Sequence, residues 1–247
     1  MAQLQKAKVF VYNGAGFESW VEKLLEGVTS KGAVVVKATE GIPLITVDLP
    51  GHDDPGHSTR GDPKDEPGRE KAPPDPHVWL DPVLAQAMVD KIRAGLTQAD
   101  PSGAAVYDEN ARGFMARLQA LHDAFAAGLK DCARRDVIVS HAAFGYLTRR
   151  YRLSPVPVMG LAPESEPSPA QLAAIVRFAR QRKVKYIFFE TLVSPRLAET
   201  LAREVGARTL VLNPIEGQTR EEAAAGKGYM ALMEENLKNL RTALECR

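Results

Sequence analysis

The chain has 247 residues, 45% of them hydrophobic and 26% charged, with 32 Lys+Arg set against 31 Asp+Glu. Those proportions are those of a soluble folded protein and exclude wholesale disorder and a bundle of membrane helices. The near-neutral balance leaves no electrostatic footprint for a nucleic-acid backbone or an acidic membrane surface, so function must rest on a local site.

The length allows two modest lobes or one large domain. Lys8 to Tyr12 (KVFVY) is a short β-rich run ending at Asn13-Gly14, and Phe17, Trp20, Val21, Leu24 and Leu25 then recur at helical spacing. A second β-branched run, KGAVVVKA from Lys31 to Ala38, completes the rhythm of a parallel sheet. From Pro50 to Pro74 the composition turns to Gly, Pro, Asp, Glu, Lys and His, which reads as a polar loop. After Asp81-Pro82, Leu84, Met88, Ile92 and Leu96 mark a helix that Asp100-Pro101 stops. Tyr107, Ala111, Phe114, Leu118, Leu121, Phe125 and Leu129 then carry one apolar stripe over about 30 residues, about 45 Å of helix.

Beyond it, strands alternate with helices. VIVS (137–140), VPVMG (156–160), YIFFE (186–190) and TLVLN (209–213) read as strands, HAAFGYLTRRY (141–151) after the first of them reads as helix, and a last helix is expected from about Arg220 to Leu244. The architecture this implies is α/β: two α/β lobes with mainly parallel sheets, joined by one long rigid helix. The boundaries are 1–100 for the first lobe, 101–131 for the helix and 132–247 for the second lobe.

Functional groups in such sheets lie at the carboxyl ends of strands. His141 directly follows VIVS, Glu216 follows LVLNPI, and His77 stands in DPHVWLDP at the entrance to a helix. Two imidazoles and a carboxylate are a donor set that zinc accepts. Each histidine is equally readable as a hydrogen-bonded structural residue, since no HExxH or CxxC spacing binds them together. Glu190, at the end of YIFFE, reads either as an acceptor orienting a histidine or as a charge capping a strand. Glu164 and Glu166 are expected to line a cleft, and His122 to be solvated or to lie between lobes. Cys132 and Cys246 leave a disulfide open.

Several blocks, in one order, carry a resemblance: VYNGAGFESWVEKLL, DPHVWLDP, SHAAFGYL, GLAPESEPSPAQLA, FFETLVSP and LNPIEGQTREEAAAGKGYMALMEENL. Together they resemble the zinc-binding receptors of bacterial ABC importers, the ZnuA-type family, over almost the whole chain except the polar loop. The resemblance implies a bilobed receptor with the metal in the cleft between lobes, and it places His77, His141 and Glu216 on family ligand positions. It implies zinc as the bound ion, with manganese second, because the manganese-binding branch is expected to carry a carboxylate where His141 stands. The polar loop resembles the family's His-rich loop, with His52 and His57 left in it. Family members carry further elements and another histidine ligand upstream. This chain is therefore expected to lack part of its first lobe, with a homodimer through the incomplete lobe as one consequence.

The functional expectation is a metal receptor, periplasmic or at the cell surface, that hands zinc to an ABC importer permease and is not an enzyme. Two other classes compete with it. One is a metal buffer or adhesion-type relative on the same scaffold. The other is a zinc hydrolase, since two His, one Glu and an open position also describe a catalytic zinc.

Overall fold

A computed structural model describes residues 6–21, 23–25, 32–46, 73–161 and 167–247. The chain opens with parallel strands β1 (Val9–Tyr12) and β2 (Val34–Lys37), paired from Val9 with Val34 to Tyr12 with Lys37. Between them, residues 15–21 form hydrogen-bonded turns and only residues 23–25 are helical among those described, so the helix expected around Phe17 is largely replaced by turns. Most of the polar loop lies outside the described residues, as do His52, His57, Glu164 and Glu166.

Helix α1 (Pro82–Ala99) starts where chemistry directs it. The Asp81 side chain accepts from the N–H groups of Val83 and Leu84, and Pro82 occupies the first turn, where its missing N–H costs nothing. Gly95 lets the helix lie close on β2, because a Cβ there would stand 2.1 Å from Val36 Cγ2. A 3-10 turn at Pro101–Gly103 leads into α2 (Ala104–Gly128). At 25 residues this helix is somewhat shorter than its apolar stripe suggested. Pro101 and Gly103 hold the first turn in the tighter form, and the helix proper begins after them.

The second lobe supplies β3 (Asp136–Val139), α3 (Gly145–Arg150), β4 (Ser154–Pro157), α4 (Pro169–Gln181), β5 (Tyr186–Phe189), α5 (Arg196–Val205), β6 (Arg208–Val211), α6 (Arg220–Ala224) and α7 (Tyr229–Leu244). Strand β3 pairs in parallel with β4, β5 with β6, and β3 lies beside β5. Three local departures from the sequence reading have physical causes. Strand β4 begins two residues earlier than VPVMG, with Pro155 and Pro157 in it. Proline donates nothing to a ladder and is tolerated on an edge, where alternate residues do the bonding. The segment expected to be helical from His141 starts only at Gly145, because residues 141–144 form a turn in which Ala142 donates to Gly160 O and Ala143 to His141 O. The last helix is split into α6 and α7 at Gly226-Lys227-Gly228, where Gly226 takes φ of +64°.

Two apolar clusters pack on opposite sides of the β3–β4 and β5–β6 pairs. On one face Leu121, Phe125 and Leu129 of the long helix pack with Val139, Phe144, Phe188, Leu212 and Met233. On the other, α4 and α5 bury Ile175, Ala179, Leu201 and Ala202 against Ile138 and Ile187. A smaller cluster of Ile42, Val78 and Tyr146 brings residues of both lobes together, and the Arg150–Asp81 ion pair of 2.8 Å ties α3 to the start of α1. Cys132 and Cys246 form a disulfide that joins the segment after α2 to the segment after α7. No described helix is long and apolar enough to cross a membrane.

Candidate metal centre

The carboxyl ends of β1, β3, β5 and β6 point into one region, and each contributes something there. His141 stands two residues after β3, buried completely. Glu190 follows β5 directly, and Glu216 lies five residues beyond β6. From the other lobe, Asn13 at the end of β1 donates its side-chain N–H to Pro76 O at 3.0 Å and so steadies the Asp75-Pro76-His77 turn. His77, at 1% exposure, caps the 3-10 turn Val78–Leu80.

Glu216 Oε1 lies 2.8 Å from His77 Nε2 and 3.2 Å from His141 Nε2. The three candidate donor atoms are all within 4.8 Å of one another. Donors held at 2.0–2.2 Å around a tetrahedral ion stand about 3.3 Å apart. A small outward movement of the carboxylate therefore admits a cation between the three. Among the described residues these form the sole such group of His, Cys, Asp and Glu; His122 is elsewhere, with Nδ1 3.2 Å from the Tyr151 hydroxyl.

Both rings are held from behind in the same way. Asp75 Oδ1 accepts from the His77 backbone N–H at 2.9 Å and from its Nδ1 at 2.7 Å. Glu190 Oε1 accepts from the His141 backbone N–H at 3.3 Å and from its Nδ1 at 2.7 Å. A carboxylate only accepts, so Nδ1 carries the proton in each ring and Nε2 is the atom presented to the cavity. This backing orients the ring and raises the basicity of the coordinating nitrogen.

The sequence reading had Glu190 as one of two alternatives, and the geometry selects the orienting one. It did not assign Asp75, although Asp75 sits in the same short stretch as His77. Gly145 was missed as well. A Cβ there would stand 2.6 Å from Asp75 Oδ2, so only glycine lets the first turn of α3 pass the carboxylate. Tyr146, next in line, donates its hydroxyl to Asp75 O at 3.0 Å. The available signal was the Gly-Tyr pair at the helix start.

Glu216 is placed by a strained turn. Ile215, a β-branched residue, has φ of +57°, a conformation that costs about 1–3 kcal/mol and persists only where neighbours enforce it. The Ile215 N–H donates to Asn213 Oδ1 at 2.8 Å. Asn213 is itself gripped by Asn236 of α7, which accepts from its N–H at 2.8 Å and donates to its carbonyl at 2.7 Å. The indole N–H of Trp79 donates to Pro214 O at 2.8 Å.

Charge follows from these contacts. Burial alone would push His141 toward neutrality, but its hydrogen bonds to Glu190 and Glu216 outweigh burial and hold its pKa up at about 9. Burial works against a charged His77 too, and its bonds to Asp75 and Glu216 raise it above its ordinary value. Glu216, which burial would raise, is held down at about 2 by the two donating rings. With no cation bound, both rings are biased toward the imidazolium form around one carboxylate. A divalent ion that takes the place of the two Nε2 protons leaves the net charge of this buried cluster unchanged.

Proton release on metal binding is the measurable consequence. Near neutral pH, each bound divalent ion should release more than one proton, and affinity should climb as pH rises toward about 9. Stability of the metal-free protein runs the other way. His141 contributes fully below 6.5 and loses its contribution as pH rises through about 9, while Glu216 contributes above 4.5 and loses it as pH falls through about 2. This cluster therefore stabilises the metal-free protein most between pH 4.5 and 6.5. Calorimetric titration in two buffers of different ionisation enthalpy counts the protons, and an affinity that does not change with pH would contradict the arrangement.

A protein-family model described as ZnuA, zinc-uptake complex component A periplasmic, matches residues 1–243. The zinc-binding lipoprotein AdcA of Streptococcus pneumoniae serotype 4 is 39% identical over 241 residues, which is 98% of this chain and 46% of that protein. The chain thus spans about half the length of this streptococcal relative. The high-affinity zinc uptake system protein ZnuA of Bacillus subtilis is 38% identical over 244 residues, 99% of this chain and 74% of that protein. Among solved structures, the Zn(II)-bound ZnuA-like domain of Streptococcus pneumoniae AdcA superposes with a TM-score of 0.78 at 37% identity, covering 99% of this chain and 82% of that one.

Proposed function

This chain belongs to the ZnuA family of zinc-uptake components, and from that premise we propose that it is a receptor that captures a zinc ion between its lobes and delivers it to the permease of an ABC importer. The observation that carries the reading is the convergence of His77 Nε2, His141 Nε2 and Glu216 Oε1, with each imidazole backed by its own carboxylate. In this reading the three are ligands, Asp75 and Glu190 orient the rings, and the fourth position of a tetrahedral ion falls to solvent or to a group outside the described residues. Two imidazoles favour zinc over manganese, whose preference runs to carboxylate and water. The lobes are residues 1–100 and 132–247, joined by 101–131.

The Cys132–Cys246 disulfide supports an extracytoplasmic location, since such bridges persist in oxidising compartments. The site is built for holding rather than turnover. Asp75 and Glu190 are both engaged by ring N–H groups, and no other carboxylate or imidazole joins the donor group among the described residues to act as a general base. Isothermal titration of metal-free protein tests the proposal: saturable binding of one zinc per chain is expected, and no heat of binding at micromolar protein would sink it.

A further inference from the structure

The two lobes are joined at the site by a hydrogen bond as well as by the metal position. Trp79 lies two residues from His77 on the same 3-10 turn, and its indole N–H reaches across to Pro214 O, two residues before Glu216. The backbone of Trp79 is itself fixed, because the hydroxyl of the partly buried Tyr229, on α7, donates to Trp79 O at 2.7 Å. Asn236, about two turns further along the same face of α7, grips Asn213 at the start of the turn that leads to Glu216. Helix α7 thus holds both Trp79, two residues after His77, and Asn213, three residues before Glu216.

The consequence for Glu216 is specific. His141 and His77 each have a carboxylate behind them, whereas Glu216, among the described residues, is bonded to the two rings that it would share with a metal. Among the described residues no comparable group backs it. Its placement depends on a loop that carries a left-handed isoleucine, and such a backbone stays put only while its carbonyls and N–H groups are held. Pro214 is a buried residue, so loss of the indole donor leaves its carbonyl short of a partner.

We propose that Trp79 is a positioning residue: by donating its indole N–H across the cleft to Pro214 O, it sets the Glu216 carboxylate at a fixed distance from His77 before any metal arrives. The inference rests on the receptor reading above and adds to it a site that is preorganised by a cross-lobe strap. The remainder of the Trp79 ring has a separate task, packing edge-on against Phe17 with centroids 5.2 Å apart and beside His77 at 5.3 Å. Phenylalanine at this position keeps a smaller aromatic ring there and removes the donor.

A double-mutant cycle separates positioning from general packing. Zinc affinity is measured for the wild-type chain, Trp79→Phe, Glu216→Ala and the double variant, each first shown by its thermal melt to be folded without metal. Trp79→Phe is expected to weaken zinc binding about 10-fold, the effect of losing an orienting partner, and to change affinity by no more than about twofold once Glu216 is already alanine. The absorption of bound Co(II) gives a second reading. Its visible bands should weaken in Trp79→Phe as the carboxylate leaves a defined position, and should match those of Glu216→Ala. An equal loss in both backgrounds, or no loss in either, overturns the inference while leaving the receptor reading intact. A wild-type chain that binds no zinc removes the receptor reading itself, and this inference with it.

Discussion

His141→Ala is expected to weaken zinc binding by far more than 10-fold, and to do so while also destabilising the metal-free protein. Loss of affinity follows from removing one of three converging donors; the removal of an outer orienting group alone already costs about 10-fold to 100-fold. The second effect is less obvious. His141 is fully buried, and its ring partners Glu190, itself only 3% exposed. Alanine leaves that carboxylate inside the protein with no proton donor from the ring, and breaking a buried pair in this way costs about 3–5 kcal/mol. His141→Ala/Glu190→Gln should therefore recover much of the stability and none of the affinity. Denaturant unfolding and zinc titration on the same three proteins check both halves. Equal stability of His141→Ala and wild type would mean that Glu190 is not held as described.

Removal of the disulfide is expected to produce the opposite pattern, with a large loss of stability and unchanged binding. Cys132 and Cys246 are separated by 114 residues, so the bridge closes a loop that contains every strand of the second lobe. Loop closure of that size restricts the unfolded chain by roughly 5 kcal/mol. The bridge also anchors a local cluster, in which Arg134 donates its backbone N–H to Leu244 O and its side chain pairs with Glu245 at 3.0 Å. All of this lies at the amino end of β3, whereas His141 stands at its carboxyl end. The double variant Cys132→Ser/Cys246→Ser should lower the urea midpoint strongly and leave zinc affinity within about twofold. An unchanged midpoint, or a large loss of affinity, would count against this division between a stabilised base and a binding pole.

The strands and the three converging residues were legible because their signals are local. Runs such as VFVY, VVVK and YIFF announce parallel strands by composition alone, and a polar residue directly after such a run stands at the open end of the sheet. His141 and Glu216 could be picked out on that ground, while His77 drew attention through the Asp-Pro pairs around it. What the sequence hid are the residues that act at a distance. Asn236 sits on a helix 23 residues beyond Asn213, and nothing in its own neighbourhood marks it as the residue that grips the Glu216 turn. Gly145 reads as an ordinary glycine within a helical run until Asp75 is placed against it. Asp75 reads as turn punctuation, since Asp-Pro is a common turn and only the folded ring geometry gives its carboxylate a second partner. Where α7 begins was obscured by an apolar pattern that continues through Gly226, although backbone conformation interrupts the helix there.

Anomalous X-ray diffraction at the zinc edge, from crystals of the zinc-loaded protein, tests the central claim most directly. The account predicts one strong peak bonded to His77 Nε2, His141 Nε2 and a Glu216 oxygen at about 2.0–2.2 Å, with Asp75 and Glu190 still on the two Nδ1 atoms. A zinc peak elsewhere, or one coordinated through Nδ1 with the backing carboxylates displaced, would contradict it.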